Sequence, residues 1–248
     1  MLRGIYTAAS GLNLQQTKID VVANNIANVS TAGFKRDRIG IGSFPEILLL
    51  RMEAGKRPEH IGVTCYGSLA QDVSTDFRDG PLQNTGVLRD VALMGEGFLA
   101  VETADGERYW RGGTLFVDGD GFLVTASGDR VLGENGPIAP ESSDFRIAED
   151  GTITVAGNPV DRLLLVDFED KRALVKEGRG YFRYDGPWPV TASAAVVRQG
   201  FLEGSNVELA EEMARLIEGL RAYQLSQRSV RTHDELLGRT VNQVGKVR

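Results

Sequence analysis

Both ends of the chain carry apolar residues spaced seven apart, and this pattern restricts the possible folds most strongly. The N-terminal set begins at Ile5, and the C-terminal set runs from Leu209 over about five heptads. A 3.5-residue period of this length is typical of helices that pack on another helix along a narrow seam. We therefore predict helices within residues 1–34 and 205–248 that pair as a coiled coil. The predicted intramolecular seam comprises Ile5, Leu12, Ile19, Ile26, Leu209, Met213, Leu216, Leu220, Tyr223, Val230 and Leu237.

The predicted helices have recognisable ends. Gly33 follows the N-terminal pattern and suits a left-handed residue that closes the last turn. Ser205 and Glu208 match a capping box, in which a hydroxyl and a carboxylate each accept a hydrogen bond from a free amide. Helices of about 28 and 38 residues would be about 42 and 57 Å long, too long to be buried on one small domain. This length favours helix pairing over the alternative of two core-facing helices in a single globular domain.

The region between the helices is rich in glycine and in turn dipeptides. The chain has 30 glycines but only 8 prolines, and pairs such as Asp105-Gly106 and Asn135-Gly136 separate short apolar runs. Turns about every ten residues, without a helical period, predict an antiparallel all-β middle domain at residues 76–190. We predict a linking segment at 35–75 and a return linker at 191–204, so the fold class is α+β. The expected β core includes Leu93, Phe98, Val101, Trp110, Phe116, Phe122 and Val124.

The sequence offers no catalytic or metal-binding motif. Its two histidines, His60 and His233, lie far apart, and Cys65 is the single cysteine. A net charge of −6 provides no basic field for nucleic acid, and no apolar run approaches the roughly 18 residues of a membrane span. We therefore expect no enzyme activity, cofactor, metal, nucleic-acid partner, small-molecule substrate or membrane insertion.

Three parts of the chain resemble the bacterial flagellar rod and hook protein family. Residues 24–36, Asn-Asn-Ile-Ala-Asn-Val-Ser-Thr-Ala-Gly-Phe-Lys-Arg, are similar to its N-terminal signature, and residues 199–207, Gln-Gly-Phe-Leu-Glu-Gly-Ser-Asn-Val, to its C-terminal signature. Residues 77–82, Phe-Arg-Asp-Gly-Pro-Leu, are similar to a middle segment of the family. The length of 248 residues resembles the rod proteins, proximal or distal, more than the longer hook proteins.

The resemblance implies a structural subunit of the flagellar basal-body rod. Such a subunit polymerises helically with itself and with other rod or hook subunits, and it transmits torque to the hook. The resemblance also implies passage through the flagellar export apparatus without a cleaved signal peptide, and a final place in the periplasmic rod. The subunit-contact candidates are Asn24, Asn25, Asn28, Thr31, Gly33 and Phe34.

The asparagines among these candidates lie off the apolar seam. Because asparagine is a mediocre helix former, its repeated use there indicates hydrogen bonding between subunits. The alternative is a frayed, solvated helix end before Gly33.

Two other functional classes also remain open: a soluble coiled-coil adaptor with a β-type binding domain, and an enzyme or carbohydrate-binding domain with helical tails. A purified protein that stays a monomer or dimer with rigid, fully helical ends would favour the adaptor, and a deep pocket with convergent carboxylates would favour the enzyme.

Overall fold

The computed structural model describes residues 2–44, 46–51, 59–65, 67–186 and 191–244, which divide into two compact units. Unit 1 takes in the chain up to residue 27, residues 37–74, and the chain from residue 208. Unit 2 consists of residues 28–36 and 75–207. Two terminal helices therefore flank a large sheet-rich middle, as predicted.

Unit 1 contains both long helices, α1 (Leu2–Ala27) and α2 (Leu209–Val244). They pack against each other in antiparallel orientation. Three neighbouring pairs along the helices show this orientation: Gly4 with His233, Gly11 with Ser226, and Ile19 with Gly219. Coiled-coil supercoiling itself stays a prediction.

The described residues of the segment predicted as a linker at 35–75 instead form four strands. They are β1 (Asp37–Ser43), β2 (Ile47–Arg51), β3 (Glu59–Thr64) and β4 (Ser68–Thr75). Strand β1 pairs with β4, and β2 pairs antiparallel with β3. The pattern was missed because glycine stands in place of the polar residue between apolar ones in β1 and β3, while the apolar run of β2 has no period.

The seventeen strands of unit 2 among the described residues are short. They are β5 (Leu82–Asn84), β6 (Asp90–Met94), β7 (Phe98–Thr103), β8 (Gly106–Trp110), β9 (Gly112–Val117), β10 (Leu123–Thr125), β11 (Arg130–Gly133), β12 (Gly136–Pro137), β13 (Phe145–Ile147), β14 (Thr152–Val155), β15 (Asn158–Arg162), β16 (Leu165–Asp167), β17 (Leu174–Gly178), β18 (Tyr181–Tyr184), β19 (Thr191–Ala192), β20 (Val196–Gln199) and β21 (Phe201–Glu203). A 3-10 turn at Lys171–Ala173 precedes β17.

Most of these strands join one large sheet. Its main order is β17-β18-β8-β7-β11-β10-β9-β6-β20, with β12 paired to β11 and β16 paired to both β7 and β19. Strands β13-β14-β15 form a separate three-stranded sheet, and β5 pairs with β21. The prediction of a return linker at 191–204 is therefore wrong. Strand β20 from this segment pairs with β6 at the end of the sheet, with the register Val197↔Leu93.

The core of unit 2 consists of two apolar clusters. The larger one includes Val91, Leu99, Leu115 and Leu123, all fully buried. The smaller one is aromatic, with rings of Phe98, Phe77, Phe168 and Phe182 in edge or tilted contact.

Three predicted core residues lie outside these clusters. One of them, Val124, is nevertheless buried, with 6% of its surface exposed. Phe116 is 37% exposed, and its ring lies beneath the Arg89 guanidinium. The ring of Phe122 is half-buried, and its centre lies 4.1 Å from the Arg130 guanidinium. An arginine stem covers an aromatic ring at a surface as well as an apolar neighbour does, so the sequence pattern did not separate these positions from core.

Candidate assembly surface

The residues on the packed side of α2 recur at alternating intervals of three and four positions. They are buried or half-buried: Glu212, Leu216, Gly219, Tyr223, Ser226, Val230, His233 and Leu237. The column at Leu216, Tyr223, Val230 and Leu237 was predicted from the sequence. On α1 the predicted positions Ile5, Leu12, Ile19 and Ile26 are half-buried, and the more deeply buried Leu14 was missed.

The second predicted column of α2 is wrong for the single chain. Its apolar members Met213 and Leu220 are 52% and 43% exposed. Leu209, the first member of the other predicted column, is also 43% exposed. The packed positions are displaced by one residue, to Glu212 and Gly219, because a glycine lets the α1 side chain of Ile19 approach closely. Larger apolar residues are left on the outer side of the helix.

These outer residues form an uncovered apolar stripe. We define the α2 stripe as Leu209, Met213, Ile217 and Leu220, each between 43% and 52% exposed. Spacings of three and four residues place all four on one side of the helix. A monomeric protein rarely leaves such a contiguous set of large apolar side chains in water, so the stripe marks an interaction surface.

Strands β2 and β3 expose a second apolar surface. Leu48, Leu50 and Val63 are each more than half exposed, and Leu48 lies opposite Val63 in the hairpin register. An isolated two-stranded hairpin is only marginally stable in water. Cover from another surface would therefore stabilise it.

Asn25 works within the chain, contrary to the prediction that it contacts a neighbouring subunit. Its side chain is buried and donates to the Asp37 carbonyl at 2.9 Å and to Glu212 Oε2 at 3.3 Å, while its Oδ1 accepts from the Asp37 amide at 2.9 Å. Position 25 therefore requires a side chain that can both donate and accept hydrogen bonds. This requirement explains why asparagine, a mediocre helix former, occupies it. Asn24 is exposed and Asn28 half-buried, with Asn28 Oδ1 accepting from the exposed Thr31 hydroxyl; these three stay candidates for subunit contact.

Gly33 and Phe34 also have partners inside the chain, and this corrects their predicted role. Gly33 is buried in the left-handed region, with φ of 68°, and its amide donates to the Glu203 carbonyl at 2.7 Å. Helix α1 has already ended at Ala27, so Gly33 closes the following turn and not the helix itself. The half-buried ring of Phe34 lies 4.1 Å from Lys176 Nζ, a cation–π contact.

The predicted capping box does not form as proposed. Helix α2 begins at Leu209, four residues after Ser205, whose hydroxyl accepts from the Val207 amide at 3.3 Å. Ser205 therefore shapes the turn before the helix. Glu208 lies immediately before α2, and its carbonyl accepts the Glu212 amide at 3.0 Å.

A buried charge cluster lies within unit 2. We define it as Lys35, Arg111, Glu203 and Asp79. Lys35 Nζ lies 2.6 Å from Glu203 Oε1, Arg111 Nε donates to Glu203 Oε2 at 2.9 Å, and Arg111 Nη2 reaches Asp79 Oδ1 at 2.5 Å. Burial lowers the pKa of the Lys35 ammonium below its usual value; the Glu203 carboxylate opposes this effect, and the Arg111 charge adds to it.

Backbone groups complete the charge cluster. The Gly80 amide donates to Glu203 Oε1 at 2.9 Å, Lys35 Nζ donates to the Arg78 carbonyl at 2.9 Å, and Arg111 Nη1 to the Gly97 carbonyl at 2.7 Å. Buried charges are tolerated when they are paired and hydrogen-bonded in this way. Sequence reasoning assigned no role to the cluster, although its members Lys35, Asp79 and Glu203 lie inside the three signature segments.

The described residues contain no group of three or more His, Cys, Asp or Glu side chains that could hold a metal ion. Unit 1 has a groove of about 400 Å³ between α1, β1 and α2, lined by residues such as Lys18, Ile39 and Glu218. Unit 2 has a polar cleft of about 330 Å³ beside Arg108 and Glu177. None of the helices in the described part of the chain has the length and apolar character needed to cross a membrane.

Comparison with known protein families gives three matches along the chain. Residues 5–35 match the family described as "Flagella basal body rod protein". Residues 92–155 match "Flagellar hook protein FlgE/F/G D1 domain", and residues 198–244 match "Flagellar basal body rod FlgEFG protein C-terminal". The first match covers the N-terminal signature except its last residue, Arg36, and the last match covers the whole C-terminal signature.

Similar proteins cover the chain almost completely. The flagellar basal-body rod protein FlgG of Bacillus subtilis is 33% identical over 265 residues, which span 98% of this chain and 99% of the relative. FlgF of Caulobacter vibrioides is 34% identical over 248 residues, covering 96% and 97%. The flagellar hook-basal body complex protein FlhO of B. subtilis is 31% identical over 271 residues, covering both chains fully.

Proposed function

Because the chain belongs to the flagellar basal-body rod protein family, we propose that it polymerises helically through its paired terminal helices into the rod that transmits torque to the hook. The α2 stripe is the observation that carries this proposal. Four large apolar side chains, each 43% to 52% exposed, lie on the helix whose other side already packs on α1. A second subunit would cover them.

Repetition makes small contacts sufficient for assembly. Fully burying a Leu, Ile or Met side chain contributes about 1.5–3 kcal/mol, so covering a half-exposed one contributes about 1 kcal/mol. A head-to-tail contact that does not close into a ring repeats this gain at every subunit of an open helical filament. The β2–β3 hairpin, with its exposed Leu48 and Leu50, is a further surface for neighbours to cover.

The partners and the location follow from the same proposal. Other rod and hook subunits are the neighbours along the axis, and the flagellar export apparatus delivers the chain without cleavage to the periplasmic part of the basal body. Asn24, Asn28 and Thr31 are proposed to contribute polar contacts between subunits.

The test removes the α2 stripe without disturbing the helix pair. In Met213→Ser/Leu220→Ser both changed side chains are solvent-exposed, so the isolated chain should keep its circular dichroism. Electron microscopy of basal bodies purified from cells that carry only the variant should show no rod beyond the point where this subunit is added.

Leu225→Ser is the matched control. Leu225 is 62% exposed on the same helix but lies about 120–140° around its axis from Met213 and Leu220. Complete rods in the control, with none in the double variant, support the proposal. Complete rods in the double variant would show that the α2 stripe is not an assembly surface.

A further inference from the structure

The charge cluster joins two chain segments that are far apart in sequence. The Gly33 amide donates to the Glu203 carbonyl at 2.7 Å, and the Lys35 ammonium lies 2.6 Å from the Glu203 carboxylate. One residue after Lys35 and three residues after Glu203, the Arg36 amide donates to Asn206 Oδ1 at 2.7 Å. Residues 33–36 and 203–206 are therefore held side by side within unit 2.

Other contacts within unit 2 reinforce this junction. The Asn206 side-chain amide donates to the carbonyls of Asp76 and Arg78, at 2.8 and 3.0 Å. Lys176 donates from its ammonium to the Lys35 carbonyl and covers the ring of Phe34. Each segment is thus fixed to the other and to the body of unit 2.

The position of these segments in the chain gives the junction its significance. Residues 28–36 directly follow α1, and residues 203–207 are followed by Glu208, which leads into α2 at Leu209. Joining them limits how far the end of one helix can be from the start of the other. A short tether of this kind gives the two helices a high effective concentration for each other.

We propose that the charge cluster acts as a clamp that keeps α1 paired with α2 of its own chain, and so prevents exchange of helices between chains. Exchange of an identical element between protomers is a low-cost route to dimers, and it becomes a hazard when the segments that join the exchanged element to the rest of the chain are altered. Glu203 is the central residue, since it contacts both buried cations. Without it, Lys35 and Arg111 remain buried, and the half-exposed Asp79 is the one carboxylate left in the charge cluster. This inference does not depend on the rod assignment.

A disulfide trap measures the pairing directly. An ideal Cβ on Gly11 lies 3.8 Å from Ser226 Oγ, so Gly11→Cys and Ser226→Cys can form a disulfide across the helix pair. The full chain also carries Cys65→Ser, which removes its exposed thiol. After oxidation of a dilute sample, non-reducing electrophoresis separates the bond within one chain from the bond between two chains.

Glu203→Gln should raise the fraction of bonds between chains at least roughly tenfold, because loss of the tether lowers the effective concentration of the cis partner. Hydrogen exchange of the Gly33 and Gly80 amides should accelerate, while the amides of β7 and β9 stay protected. Glu149→Gln is the control: it breaks an exposed 2.6 Å contact with Arg198 in the same unit and should change neither readout.

Lys35→Met provides a second variant with a milder defect, because Arg111 still pairs with Glu203. It should give an intermediate fraction of bonds between chains. If both variants accelerate exchange at Gly33 yet form only bonds within the chain, the clamp does not control helix pairing. Loss of protection throughout the sheet in both variants would also overturn the proposal, because the cluster would then be an ordinary part of the core.

Discussion

Gly80 and Gly204 mark a point in unit 2 where two backbone segments touch with no room for a side chain. An ideal Cβ on Gly80 would stand 1.9 Å from the Gly204 carbonyl oxygen, a distance that no Cβ tolerates. The obstacle is backbone, so it cannot rotate away. Glycine is required here because of the close approach of the chain at residue 204, which also lies next to Glu203 of the charge cluster.

Gly80→Ala should therefore destabilise the protein by about 3 kcal/mol, as overpacking of a rigid contact does. Urea unfolding followed by circular dichroism of the sheet measures the change in unfolding free energy. Gly119→Ala is the matched control, because no atom lies within 4 Å of its added Cβ; its stability should stay within about 0.5 kcal/mol of wild type. Equal stability of the two variants would contradict the close approach.

For single residues, the sequence identified the segments that hold the key contacts more reliably than it identified the contacts themselves. Asn25, Gly33, Lys35 and Glu203 all lie in segments that carry the family resemblance, yet their partners come from across the chain. The Lys35–Glu203 contact joins residues 168 positions apart. A sequence pattern reports local periodicity, so it has no access to a pairing of this separation, and Asn25 was assigned to neighbours for that reason.

Among the elements, helix α2 shows both the strength and the limit of a heptad pattern. The repeat predicted the helix, its length and one packed column. It misplaced the other column, because hydrophobicity favoured Met213 and Leu220, whereas packing selected the polar Glu212 and the small Gly219. Glu212 is acceptable there because Asn25 donates to its carboxylate. The antiparallel strands between the glycine turns of unit 2 agree with the prediction. Strands β20 and β21 were missed because their partners β6 and β5 are distant in sequence. Those of residues 37–75, which include the local β2–β3 hairpin, were missed because their alternation of apolar and polar residues is weak.

Leu216 tests the packed side of α2. It is half-buried, so Leu216→Asp removes about 1–1.5 kcal/mol of apolar burial and adds a desolvation cost of similar or larger size. We expect weakened helix pairing and no incorporation into a rod, with unchanged thermal unfolding of the sheet. Leu225→Asp, with the same added charge at a 62% exposed position, should behave as wild type in thermal unfolding and in trapping of the helix pair by the disulfide. A wild-type rod from Leu216→Asp would refute the packing role; unfolding of the whole protein would refute the separation into two units.

The whole molecule combines two units of unequal burial. Among the described side chains of α1 only Leu14 and Asn25 are buried, and among those of α2 only Glu212 and Gly219. Unit 2, by contrast, buries two apolar clusters almost completely. Helical stability in proteins comes mainly from packing of an apolar face. The helix pair is therefore the less stable part of an isolated subunit, and the cover supplied by neighbours would add most where burial is now smallest.

This difference predicts uneven hydrogen exchange in the dilute subunit. Amides in residues 1–30 and 208–248 should exchange fast, and those in roughly 85–185 slowly, because local opening is easiest where few apolar contacts are lost. Mass spectrometry of peptides from a dilute sample and from assembled rods makes the comparison. Assembly should slow exchange in α1 and α2 far more than in the sheet, because the proposed contacts would cover the α2 stripe. Uniform protection in the dilute subunit would show that the helix pair is stable alone, and equal slowing in both units would place the assembly contacts outside the helices.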